Sequence, residues 1–194
     1  MRVMEYLSME EKFVISISWA HALAEEMKRY LITNFITGYN IEYVNSSTIY
    51  LPKYRSDAFR IVIGIDISDD YEKNFAKEFL DRVYEILRLS PVISVIRGKI
   101  VISDYGSLNI HDLFSIPDFR SIINHDDSNF SRIAHWSSSR FGRINLLVHL
   151  TGKDVSNAIN PGYPVIWVLT KDEQNMKFGR KVIAFNRAKN DVEK

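Results

Sequence analysis

The sequence predicts a single α+β domain, with a mainly antiparallel or mixed sheet packed against two principal helices. Three observations lead there. Two long stretches, Phe13 to Leu31 and Phe75 to Leu87, carry apolar residues every third or fourth position, as an amphipathic helix does. Several short runs rich in Ile, Val and Tyr have the length and composition of strands. Paired short runs separated by turn residues punctuate the order, which favours hairpins over strict βαβ alternation.

The first helix is expected to start at Ser8, whose spacing to Glu11 is that of a capping box. Phe13, Ile17, Ala20, Ala24, Met27 and Leu31 form its apolar stripe, and Gly38 suits the turn that follows. Ile41 to Val44 and Thr48 to Leu51 read as a hairpin that Pro52 ends. Arg60 to Ser68 alternates, with Ile61, Ile63, Ile65 and Ile67 on one face. The second helix begins at Asp69, with Glu72 again at capping spacing, and stops at Ser90-Pro91.

Val92 to Ile96 and Ile100 to Ser103 flank Arg97-Gly98-Lys99 and read as a second hairpin. Short helices are expected from Asn109 to Phe114 and from Pro117 to Ile123. His125 to Arg143 is polar, dense in Ser and aperiodic, so it reads as a long irregular segment of the functional or mobile kind. Ile144 to Thr151, Val165 to Thr170 and Lys181 to Phe185 close the order as strands, with Trp167 expected in the core. The domain is taken as residues 1–186, with 187–194 a charged, frayed tail.

Composition narrows the function classes. The chain has 194 residues, 46% hydrophobic and 25% charged, which supports a core without staples. It contains no cysteine, which removes disulfide scaffolds, thiolate zinc sites and cysteine nucleophiles. No apolar run reaches the roughly 20 residues that span a bilayer, and charge near Met1 opposes a signal peptide. The expectation is a soluble cytoplasmic protein without a membrane partner. Net charge is +1, yet residues 128–194 hold 11 Lys and Arg against 5 Asp and Glu. A basic C-terminal third suits a polyanion, and it equally suits neutralising the acidic remainder within the molecule or across a homo-oligomer.

Three constellations have chemical meaning. Arg132, His135, Trp136, Ser138, Arg140, Phe141 and Arg143 crowd arginine forks, hydroxyls and aromatics into a dozen residues free of acids. Arginine forks match phosphate oxygens and aromatic rings stack on unpaired bases. The plainer alternative is a surface loop anchored by its two aromatics. A second constellation is a carboxylate metal site on Asp57 and Asp66, with Glu25 or Glu26 from the first helix. Its helix–hairpin–strand order resembles that of restriction-type nucleases, which implies Mg²⁺ or Mn²⁺ activating water. That family's acid-x-Lys signature calls for lysine two residues after Asp66, where Ser68 stands. RNase H-like enzymes also start from an Asp on an apolar strand, but a helix follows here in place of two strands. Asp66 otherwise simply ends its strand. The third constellation is the pairs His111-Asp112 and His125-Asp126, with His135 and His149 further on. None has the i, i+4 ligand spacing of a zinc-binding helix.

Walker, dinucleotide-binding and nucleophile-elbow patterns are absent. The leading expectation is a non-enzymatic domain binding nucleic acid or another phosphate-bearing partner, with no cofactor. The alternatives are a divalent-metal nuclease using Mg²⁺ or Mn²⁺, and a protein–protein module or homodimer.

Overall fold

The computed structural model describes residues 19–32, 36–44, 47–54, 58–67, 69–90, 93–105, 107–123, 130–171 and 175–184. The expected Ser8 cap, Asp57 and the 187–194 tail lie outside them.

Helix α1 is described over residues 19–32. It is followed by β1 (Ile36–Val44) and β2 (Ser47–Tyr54), the expected antiparallel ribbon, with Ile41 opposite Tyr50 and Tyr43 opposite Thr48. Next come β3 (Phe59–Asp66), α2 (Asp70–Arg88), β4 (Ile96–Asp104) and β5 (Ser107–Asp112). Helix α3 (Phe130–Trp136) then leads to β6 (Leu146–Thr151), β7 (Val165–Leu169) and β8 (Arg180–Ile183). The last six strands form one mixed sheet in the order β5-β4-β3-β6-β7-β8. This is the α+β class the patterning implies, with parallel pairing predominating. Only β5 runs antiparallel to its neighbour.

The predominance of parallel pairing follows from burial on both faces. Strand β3 is buried at every position but Arg60, and β6 and β7 are buried throughout. Two-faced burial is what parallel strands between helical layers require. On one face, Trp19, Leu23, Met27 and Leu31 of α1 and Phe75, Phe79, Val83 and Leu87 of α2 cover the isoleucines of β3 and β4. On the other, Phe130, Ile133 and Ala134 of α3 cover Val62, Val101, Leu147 and Trp167. Trp167 is a core residue, as its neighbours in sequence imply.

Three local expectations give way to tertiary context. Residues 96–104 form one continuous strand, because Gly98 pairs in parallel register with Ile61 of β3. The hairpin falls one turn later, between β4 and β5, and β5 replaces the helix expected at 109–114. The 130–141 part of the irregular segment is helical, as α3 followed by a π-helical turn over Ser137–Phe141. Its short buried stripe, Phe130-Ile133-Ala134, is too brief for periodicity to reveal.

Candidate functional site

The polar stretch around residue 140 acquires a definite shape. The serine hydroxyls fold back on the helix: Ser137 donates to the Ile133 carbonyl at 2.7 Å, Ser138 to Ala134 at 3.0 Å and Ser139 to His135 at 2.7 Å. Such i−4 bonds compete with the backbone ladder and favour irregular helix. Trp136 and Phe141 pack against the second core cluster, so both rings are anchors for this turn. Arg132, His135, Ser138, Arg140 and Arg143 face solvent.

One further arginine bonds to this turn from a strand remote in sequence, and a second stands beside it on the next strand. Arg60 of β3 and Arg97 of β4 are register partners on adjacent strands. Both lie on the α3 face, the face opposite their neighbours Ile61 and Ile96. The Arg60 Nη1 donates to the Phe141 carbonyl at 3.1 Å, between Arg140 and Arg143 in sequence. Gly142 makes this approach possible. Its φ is +81°, and a Cβ there would stand 2.6 Å from the Arg60 Nη1. Asn145 locks the corner, accepting from the Arg60 amide at 2.8 Å and donating its own amide to the Arg60 carbonyl at 2.9 Å. Arg60, Arg140 and Arg143 thus belong to one corner at the N-terminal edge of the parallel sheet, and Arg97 stands on the neighbouring strand at that edge, its Nη1 donating to the Ser94 and Ile96 carbonyls at 3.0 Å each. Among the described residues none of the four is ion-paired.

The opposite edge holds a different arrangement. After β3 the chain crosses through α2 to β4, and it later returns to β6 on the other side of β3. That reversal makes the C-terminal ends of β3 and β6 a topological switch point, where open α/β sheets form a crevice. Ser103, Asp66 and Thr151 stand side by side there on β4, β3 and β6, all fully buried. The Lys153 Nζ lies 2.9 Å from the Asp66 Oδ1, and the Lys153 amide donates to the Thr151 Oγ1 at 3.1 Å. Beside them the N-cap Asp69 accepts from the Glu72 amide at 2.8 Å, as the capping spacing implies. Glu72 does not complete the box. Its buried carboxylate accepts instead from the Thr170 hydroxyl at the end of β7.

His149 lies one level below this polar row, between Gly64 and Trp167 in register. It is fully buried, its ring meets Phe130 and Trp167 edge-on, and neither nitrogen has a hydrogen-bond partner. Desolvation pushes its pKa down to about 4, against an opposing pull from Asp66. The ring is neutral at physiological pH.

Of the sequence-predicted residues, the structure thus keeps Arg140, Phe141 and Arg143 together, turns Trp136 and Phe141 inward, and sets Asp66 at the far edge of the sheet. Among the described residues no group of three His, Asp or Glu is placed to hold a metal ion. Among them, too, no helix is long and apolar enough to cross a membrane. Arg60, Arg97 and Lys153 escaped sequence reasoning. Arg60 and Arg97 are joined only by strand register, and Lys153 reaches Asp66 from 87 residues away. No local spacing encodes either contact. No protein-family model matches the chain, and no curated protein matches it either.

Proposed function

We propose that this protein is a non-enzymatic domain that binds the phosphate backbone of a nucleic acid along the N-terminal edge of its sheet. One observation carries the reading: Arg60, Arg97, Arg140 and Arg143, from three separate segments, stand at one edge of the sheet, and among the described residues none of them forms an ion pair. Guanidinium forks take phosphate oxygens in bidentate fashion and keep their charge at any physiological pH. Exposed arginines set on separate segments along a sheet edge suit successive phosphates of a chain better than one buried phosphate. The aromatic rings and the serine donors of the same turn are engaged internally, so contact is to backbone and sequence preference is weak.

Fluorescence anisotropy with labelled single- and double-stranded oligonucleotides, at two salt concentrations, tests the reading. Saturable binding that weakens with salt is expected. The Arg97→Ala, Arg140→Ala, Arg143→Ala triple variant is expected to lose it with little change in melting temperature. Absence of binding at low salt, or an unaltered affinity in the variant, overturns the reading.

A further inference from the structure

A histidine is sealed into the core on the α3 face of the sheet. The His149 ring is fully buried, and among the described residues neither of its nitrogens meets a hydrogen-bond partner. Gly64 of β3 admits it, since a Cβ there would stand 2.4 Å from the His149 Nδ1 and 3.2 Å from the Ile133 Cγ2. The ring is enclosed by β3, by Trp167 of β7 and by Phe130 and Ile133 of α3. The charged groups that act on it come from two elements. Asp66 at the end of β3 favours an imidazolium, Lys153 after β6 opposes it, and the two are paired to each other at 2.9 Å. From α3 and β7 the ring meets Phe130, Ile133 and Trp167, none of which carries charge. A proton taken up here is therefore buried without a hydrogen bond, which is strongly unfavourable.

The two covers of the sheet hold with different firmness. On the far face α1 and α2 present long buried stripes, and α2 alone spans 19 residues. Helix α3 has seven residues, of which Phe130, Ile133 and Ala134 are buried. A helix so short does not persist in water by itself, so α3 exists only while docked. Its ties to other elements include the Tyr163 hydroxyl, which donates to the Ala134 carbonyl at 3.2 Å, and the Arg60 guanidinium on the Phe141 carbonyl. An element with few buried contacts opens at a lower free energy than the whole fold.

We propose that α3 is a proton-released cover: protonation of His149 undocks α3 from the sheet, and with it the turn that carries Arg140 and Arg143. Undocking lets water reach the ring and solvate its charge. Desolvation pushes the pKa of the docked ring down to about 4, whereas an exposed ring keeps the ordinary 6.5. Between those values the undocked state holds a proton that the docked state refuses, so acid favours undocking. Opening becomes about tenfold easier at pH 5.5 than at pH 7.5, and about 300-fold easier well below pH 4. The switch itself stands on α3 and His149. Its consequence for phosphate binding rests on the reading of the arginine turn given above.

Amide hydrogen exchange of the intact chain, with no ligand added, tests the switch. After correction for intrinsic exchange rates, amides at 134–141 are expected to lose about tenfold in protection from pH 7.5 to pH 5.5. At both pH values they are expected to exchange faster than the amides of β3. Amides of the β1–β2 ribbon, which belongs to another sheet, are expected to keep their protection. His149→Phe is expected to remove the pH effect at 134–141. Protection there that ignores pH, or that equals that of β3, overturns the proposal. So does the same pH effect persisting in His149→Phe. In the unmodified chain, His149 ring resonances that titrate at the ordinary histidine value overturn it without any variant, because docked and undocked rings would then bind the proton alike. With no oligonucleotide present, failure here is distinct from failure of the binding assay.

Discussion

The ammonium of Lys153 lies 2.9 Å from the carboxylate of Asp66, and both side chains are shut away from solvent. A buried ion pair gains Coulomb energy but also carries the desolvation cost of both charges. What it does strongly is fix position. Here it ties the loop after β6 to the end of β3 across the switch point.

Breaking the pair from one side therefore costs more than removing it whole. Lys153→Met leaves Asp66 buried without its counter-ion and is expected to lose about 3–5 kcal/mol. Adding Asp66→Asn to that variant is expected to restore most of the loss. Urea unfolding of the three proteins measures it, and a Lys153→Met loss below about 1 kcal/mol would contradict the pairing.

Stability is expected to fall in mild acid because of His149. Its pKa is pushed down from 6.5 to about 4 in the folded protein, so the unfolded chain binds the extra proton between those values. Stability is unaffected by this group above pH 6.5, declines as pH falls through the window, and levels off below about 4. The full effect is about 3 kcal/mol at 1.36 kcal/mol per unit. His149→Phe should flatten the dependence, and an unchanged slope in that variant would assign it elsewhere.

Gly142 couples the arginine edge to the backbone. Gly142→Ala meets a positive φ and the Arg60 guanidinium together. A residue forced into so sparsely populated a conformation costs on the order of 1–3 kcal/mol. The variant is expected to lower the melting temperature and, by displacing Arg60, to weaken oligonucleotide binding. Thermal denaturation and anisotropy on one preparation separate the two effects.

The salt dependence of binding counts the phosphate contacts. Each arginine that neutralises a phosphate contributes roughly 0.9 to the slope of log affinity against log salt on duplex DNA. The Arg140→Ala, Arg143→Ala double variant is thus expected to reduce the slope by roughly 2. A slope that stays constant while affinity falls would mean those residues act by shaping the turn.

Much of the fold was legible locally. The stripe of α2, its Asp69 cap and its end before Pro91 are all set by neighbours within a few positions. The two strands of the ribbon and the alternating isoleucines of β3 are equally local signals. Strand direction was not, since residues 96–104 look like a hairpin around Gly98 until β3 pairs alongside and extends them. The helical character of 130–141 was hidden for a related reason. Its core contacts are few, and its polar face dominates the composition.

The candidate site divides in the same way. Sequence alone marked out Arg140 and Arg143, and an Asp at the end of an apolar strand, because charge density and strand ends are properties of short stretches. Only tertiary structure placed Arg60 beside that turn and Arg97 beside Arg60, brought Lys153 to Asp66 and drew Glu72 to Thr170. Those contacts depend on the order and register of parallel strands. Such strands are joined through long crossovers and held by burial on both faces, so residues far apart in the chain become neighbours with no trace in local spacing.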